Sequence, residues 1–270
     1  MSSIRIGVVG CAGRMGQMLL QEIAATEGCV IAGGTERPGH DAIGKDVAVG
    51  AGLAAIGVAV LDDAAKLFPA CDAVLDFTSP AASLRHAELA ATHKVALVLG
   101  TTGFEAAQQK AIERAAERAA IVQAANMSVG VNLILRWVEQ TARALDEGYD
   151  IEIVEMHHRH KVDAPSGTAL ALGCAAAKGR KVVLDEAAVR GRDGITGARK
   201  AGSIGFAALR GGDVVGDHTV VFAADGERIE LTHKASSRQV FARGAVRAAR
   251  WVAGRAPGLY GMDDVLGFRD

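Results

Sequence analysis

The chain contains no apolar run approaching the roughly 18 residues of a membrane-crossing helix, so no membrane partner is expected. Residues 4–9 follow Met1 without the charged, apolar and cleavage regions of a signal peptide, and no leader is read. Charge of one sign is not in excess: 30 Lys+Arg stand against 31 Asp+Glu, for a net charge of -1. That balance argues against a nucleic-acid binder relying on a large positive field. Its four cysteines, Cys11, Cys29, Cys71 and Cys174, form no CxxC pair and read as reduced thiols of a cytoplasmic protein. Aromatic residues are scarce at 4%, while glycine supplies 33 positions, which suits an α/β enzyme with tight strand-to-helix turns. Half of the 270 residues are hydrophobic, enough for a substantial core without disulfide or metal, and disorder is excluded as the dominant state.

Up to residue 126, short apolar runs alternate with Ala-rich helical stretches. Residues 4–9, 30–33, 73–77, 95–99 and 120–124 read as strands, because near-continuous apolar character marks strands buried on both faces. Helices are expected over 15–26, 81–92 and 105–118, giving a parallel sheet covered on both sides. A long helix is expected over 129–145. Residues 151–157 then alternate with a period of two, and 205–209, 214–222 and 228–233 are further strand-like segments. These predict a second, α+β domain with an open mixed sheet. Residues 239–253 return to helix and are expected to pack on the first domain; residues 191–202, rich in Gly, Arg and Lys, read as a long flexible loop.

Between the first strand and the first helix lies Gly10-Cys11-Ala12-Gly13-Arg14-Met15-Gly16. In that place glycines permit a tight turn that brings N–H groups to a pyrophosphate at a helix N-terminus, as in Rossmann-like dinucleotide domains. The spacing is GxxGxxG instead of GxGxxG, and glycines that only turn the chain are the alternative. Glu36 lies 20 residues beyond Gly16, where an acidic group accepts from ribose hydroxyls, and Arg37 beside it suits a 2′-phosphate. The pair predicts tolerance of both NADH and NADPH; an exposed ion pair at a turn is the alternative. Gly100-Thr101-Thr102-Gly103 follows another strand at the sheet's carboxyl edge, and its backbone and hydroxyls are candidates for the nicotinamide side.

The densest chemistry is Glu155-Met156-His157-His158-Arg159-His160-Lys161. Mutually repelling groups of this kind call for an anion nearby. An extended strand would put His157 and Arg159 on one face and His158 and His160 on the other, with Lys161 rejoining His157 if the chain turns. Three readings compete: an acid and anion site, a metal site, or a solvated basic loop. No HExxH and no matching carboxylate and cysteine spacing accompany the segment, so no metal is assigned. Next comes Asp163-Ala164-Pro165-Ser166-Gly167-Thr168, which reads as a helix start offering N–H groups to a carboxylate, or simply as a capped helix. A basic strand end followed by such a turn points to a small carboxylated substrate.

The run from Glu155 through Thr168 resembles the signature of the 4-hydroxy-tetrahydrodipicolinate (dihydrodipicolinate) reductase family. So do the glycine turn, Asp76-Phe77-Thr78, the Gly100 loop, Asn126-Met127-Ser128-Val129-Gly130-Val131-Asn132, and the closing Gly258-Leu259-Tyr260 and Asp264-Val265-Leu266-Gly267. The resemblance implies a cytoplasmic, homotetrameric enzyme of lysine and diaminopimelate synthesis that delivers hydride from NADH or NADPH to a cyclic dicarboxylate with loss of water. It implies a dinucleotide-binding domain over 1–127 and 238–270, and a substrate-binding and oligomerisation domain over 128–237. His157 and Lys161 would be its acid/base pair, and His158, Gly167 and Thr168 its carboxylate binders. Gly10, Cys11, Ala12, Gly13, Arg14, Met15, Glu36, Arg37, Gly100, Thr101, Thr102, Ala124, Ala125, Asn126 and Met127 would meet the dinucleotide. Met127 stands where many members carry an aromatic residue. Two rivals remain: another two-domain NAD(P)-dependent dehydrogenase, which has no need of the Glu155–Thr168 run, and a non-enzymatic NAD(P) sensor, which has no need of the acid/base pair.

Overall fold

The computed structural model describes residues 3–268 and divides into two compact units, residues 1–129 with 239–270, and residues 130–238. In chain order the elements are β1 (Ile4–Val9), α1 (Arg14–Ala25), β2 (Cys29–Thr35), α2 (Ala64–Leu67), β3 (Ala73–Asp76), α3 (Pro80–His93), β4 (Ala96–Leu99), α4 (Ala106–Ala116) and β5 (Ala120–Gln123). They continue with α5 (Val129–Ala144), β6 (Asp150–His157), α6 (Gly167–Arg180), α7 (Leu184–Ala187), β7 (Ala188–Val189) and β8 (Ile204–Arg210). The chain ends with β9 (Gly216–Ala224), β10 (Glu227–Ala235), α8 (Gln239–Val252), β11 (Gly258–Tyr260) and α9 (Met262–Val265).

In the first unit six parallel strands run in the order β11-β5-β4-β3-β1-β2. Successive residues of each strand bury on opposite faces, which is why the strands read as continuous apolar runs. Ile6, Val8, Leu75, Val98 and Val122 pack with α1 and α8, while Val74, Leu97, Leu99 and Ile121 pack with α3 and α4. The helix over 239–252 thus returns to the first unit, as expected. β11 was not expected; three residues give no periodicity to read. Between β1 and β3 the strand order reverses, so the carboxyl ends of these strands open on a crevice.

The second unit holds a five-stranded mixed sheet in the order β10-β9-β6-β8-β7, in which β6, β8 and β7 are parallel and β9 runs against β6 and β10. Along β6 the buried face carries Ile151, Ile153, Glu155 and His157. The first two join Val220 and Phe222 of β9 in a core closed by Ile134 and Val138 of α5 and Leu172 of α6. At Glu155 the same face turns from apolar to polar. Residues 191–202 have no regular structure but are tied down: Arg192 and Arg199 both bond the Glu152 carboxylate, and Arg199 also reaches Asp150 at 2.6 Å.

Candidate functional site

Two constellations stand out, one in each unit. In the first, Gly10 follows β1 with φ +69, and Gly13 is the N-cap of α1 without a side-chain cap. A Cβ on Gly16 would overlap the Gly10 carbonyl oxygen and stand 2.7 Å from Cys11 Cα, so the helix can approach the turn this closely only with glycine there. Most N–H groups of the turn are already used. Those of Gly10 and Cys11 donate to the Thr35 carbonyl, that of Gly13 to the Gly10 carbonyl, and that of Ala12 to Glu36 Oε1 at 3.0 Å. Arg14 and Met15, opening α1, carry N–H groups with no acceptor inside the helix. The Cys11 thiol is buried; burial, and then the Glu36 carboxylate, push it up to about 12, so it is an inert packing group.

Glu36 therefore sits at the turn itself. A cavity of about 460 Å³ begins there, lined by Gly10, Glu36, Arg37, Thr78, Arg85 and His86 among others. Two of its lining residues, Thr78 and His86, belong to a buried polar network around Asp76, the last residue of β3. The Thr78 hydroxyl donates to Asp76 Oδ1 at 2.6 Å, His86 Nδ1 lies 2.8 Å from Oδ2, and Thr101, bonded by the Ser83 hydroxyl, lies 3.5 Å from Oδ1. Burial pushes Asp76 up, but His86, then Thr78 and Ser83, bring its carboxyl below the usual range. The Thr101 hydroxyl is thus engaged inside the unit; Thr102 is exposed. A Cβ on Gly100 would collide with the Phe77 ring. Ala124 and Asn126 are half-buried and Ala125 is exposed, whereas Met127 is 1% exposed and belongs to the core.

In the second unit β6 ends at His157, and the following residues turn. His158 N–H donates to the Val214 carbonyl and Lys161 N–H to the His158 carbonyl, so Arg159 and His160 lie in an exposed turn. β6 thus stops at His157, where the period-two segment is expected to end, and the chain turns instead of continuing the alternation of His157 and Arg159 against His158 and His160. Lys161 Nζ bonds both oxygens of Asp163, at 2.8 and 2.9 Å.

His157 is buried, its Nδ1 2.6 Å from Glu155 Oε2. Arg210, opposite His157 in β8, forks onto both Glu155 oxygens at 2.8 and 2.9 Å, and Ser166 N–H donates to Oε1 at 3.1 Å. Burial raises the Glu155 carboxyl, but Arg210 and His157 outweigh it and hold it below the usual range. His218, opposite Glu155 in β9, meets the His157 ring edge-on at 5.0 Å, with its Nε2 3.0 Å from Ser166 Oγ. Burial, then the neighbouring His157, hold His218 down to about 4. His158 Nδ1 is buried with no hydrogen-bond partner among the described residues. Loss of hydration, then the field of Arg238, His160, His157 and Lys161, lowers its ring.

Ser166 caps α6, its hydroxyl accepting from Ala169 N–H at 3.2 Å. Gly167 follows, exposed, with nothing within 4 Å of where a Cβ would stand. The structure thus gathers His157, His158, Lys161 and the α6 start on one short stretch of chain. Arg210 and His218 were not singled out from the sequence, and Glu155 was read only as part of the segment.

Family models described as "Dihydrodipicolinate reductase, N-terminus" and "Dihydrodipicolinate reductase, C-terminus" match residues 4–127 and 130–266. The chain is 58% identical over 262 residues to 4-hydroxy-tetrahydrodipicolinate reductase of Dinoroseobacter shibae, covering 97% of each chain. To the protein of the same name in Rhodopseudomonas palustris it is 52% identical over 270 residues, covering 100% of each. A solved structure of dipicolinate-bound dihydrodipicolinate reductase from Paenisporosarcina sp. TG-14 is 27% identical, with a TM-score of 0.79, covering 97% of this chain and 99% of that one. Matched along almost its whole length, the chain belongs to the dihydrodipicolinate reductase family.

Proposed function

We infer that the protein reduces 4-hydroxy-tetrahydrodipicolinate to tetrahydrodipicolinate with loss of water, in lysine and diaminopimelate biosynthesis, using NADH or NADPH. The observation that carries the reading is the buried His157, backed by an ionised Glu155, on the same short stretch as Lys161 and the open start of α6.

The first unit is the dinucleotide-binding domain. The bound cofactor supplies hydride. Arg14 and Met15 offer N–H groups to its pyrophosphate, Glu36 accepts from ribose hydroxyls, and Arg37, which makes no ion pair among the described residues, is available to a 2′-phosphate. The cavity of about 460 Å³ at the reversal of strand order fits such a ligand. Gly100 to Thr102 and Ala124 to Met127 complete the assignment through their backbone.

The second unit binds the dicarboxylate and handles the proton. His158, Gly167 and Thr168 hold carboxylates, with the α6 N–H groups contributing their dipole. His157 and Lys161 are the acid/base pair: reduction of an electron-poor ring leaves negative charge that an imidazolium or an ammonium can stabilise or protonate. The sheet face opposite α5 and α6 presents Val154, Met156, Ala207 and Val221, with Leu209 50% exposed. We assign it to the homotetramer, whose mass light scattering would measure. Four unpaired thiols suit a cytoplasmic location.

The test is oxidation of NADH and NADPH in the presence of enzymatically generated 4-hydroxy-tetrahydrodipicolinate. His157→Ala and Lys161→Ala are each expected to lower kcat by roughly 10²- to 10⁴-fold. Near-normal turnover in both defeats the acid/base assignment, and cofactor binding without oxidation in the native protein favours the sensor.

A further inference from the structure

At the carboxyl end of β6 a single carboxylate, 1% exposed, takes hydrogen bonds from three separate parts of the second unit: the His157 ring, the Arg210 fork and the Ser166 N–H. We propose that Glu155 is a positioning residue, fixing His157 with a proton on Nδ1 and tying the same ring to the start of α6, with Arg210 as the clamp that keeps the carboxylate in place. The proposal deepens the reading of His157 as a proton-handling group and rests on it.

A carboxylate buried alone would take up a proton. Here Arg210 presents two N–H groups in the planar fork that matches a carboxylate, and the group stays ionised. An ionised carboxylate accepts hydrogen bonds and donates none. At 2.6 Å from Oε2, Nδ1 must therefore carry the proton, leaving Nε2 as the nitrogen that can gain or release one. Gly216 leaves room on that side: a Cβ there would stand 3.1 Å from Nε2.

The neighbouring His218 is built differently. Its Nε2 lies 3.0 Å from Ser166 Oγ, which also accepts from Ala169 N–H, so its polar partner is a neutral hydroxyl. That ring has no direct bond to the carboxylate and stays neutral until about pH 4. Of two imidazoles in edge contact, only His157 has an anion hydrogen-bonded behind it. Contrasting environments of this kind separate the roles of like groups.

Arg210 extends the control to the turn that follows. The same Nη2 that bonds Glu155 also donates to the Asp163 carbonyl at 2.7 Å, and Nη1 donates to the Leu209 carbonyl at 2.6 Å. Glu155 and Arg210 together hold His157, Asp163, which pairs with Lys161, and the cap of α6 in one register.

Glu155→Gln preserves shape but removes the charge. It is expected to lower kcat by about 10- to 10³-fold, short of the ~10⁴-fold loss known for a mis-set tautomer, with KM for NADPH unchanged within about twofold. Nitrogen NMR of the labelled His157 ring is expected to move from Nδ1 protonation toward Nε2 protonation. Arg210→Lys should recover part of the kcat lost in Arg210→Ala. A folded Glu155→Gln enzyme with unchanged kcat and an unchanged His157 nitrogen spectrum overturns the proposal. Should that variant fail to fold, an Arg210→Lys enzyme no better than Arg210→Ala, with the His157 spectrum unmoved in both, overturns it equally. His157→Ala is the separate control, since full activity there removes the proton-handling reading, whereas the nitrogen spectrum of the Glu155 variant decides the positioning.

Discussion

Acid should destabilise the second unit through His218 before most carboxylates titrate. The ring is 4% exposed, hydrogen-bonded to Ser166 Oγ, and is held down to about 4 by burial and by His157, with His233 and Lys161 adding to the effect and Glu155 opposing it. In the unfolded chain an imidazole takes up its proton near pH 6.5. Between about 6.5 and 4 the unfolded state therefore binds the extra proton, and stability falls as pH falls. At about 1.4 kcal/mol for each pH unit separating the two values, the neutral ring contributes about 3 kcal/mol, complete above pH 6.5 and gone below about 4. The assay is urea unfolding over that range at fixed protein concentration, because assembly would otherwise shift apparent stability. His218→Gln supplies the comparison: its amide can donate to or accept from Ser166 Oγ but does not titrate. The native protein is expected to lose about 2–3 kcal/mol more than the variant between about pH 7 and pH 4.5. Parallel curves would refute the reasoning.

Arg37→Ala is expected to weaken NADPH by about 10- to 100-fold, the worth of a lost charged hydrogen bond, while leaving NADH nearly unchanged; fluorescence titration of both cofactors checks it, and equal losses would remove the 2′-phosphate assignment. Gly16→Ala drives a Cβ into the Gly10 carbonyl and Cys11 backbone, so it should cost about 1–3 kcal/mol of stability and weaken both cofactors alike, measured by thermal melts with and without NADPH.

The first unit was largely legible because its chemistry is local. β1, β3, β4 and β5 bury both faces and announce themselves as unbroken apolar runs. The glycine turn follows β1 in sequence as it does in space. The second site was legible only along the chain. Period-two alternation places Glu155 with His157, but Arg210 and His218 join them through the registers of β8 and β9, more than 50 residues away, which no single strand reveals. The alternation predicts the strand's end at His157, while the turn beyond it is one of two courses open to the chain. Strand alternation can be counted, but the course beyond it is set by the bonds of His158 to Val214 and Lys161 to His158. The bond of Thr101 to Asp76 likewise depends on β3 lying beside β4, which the loop's own residues do not show.

The basic segment looked untenable as sequence because its cations repel, and the fold resolves this without a ligand. Glu155 neutralises Arg210 and backs His157, while Asp163 holds Lys161. One anion is buried and bonded on every side; the other is exposed and joined to its lysine by a pairing that water screens. The two are therefore not equivalent. A pair of this kind costs little to open, whereas breaking a buried pair costs several kcal/mol and Glu155 stays with Arg210. The difference in burial sorts the segment into a fixed part and a part that can move. It also explains why a stretch so rich in positive charge can wait, folded, for a substrate that brings two negative charges of its own.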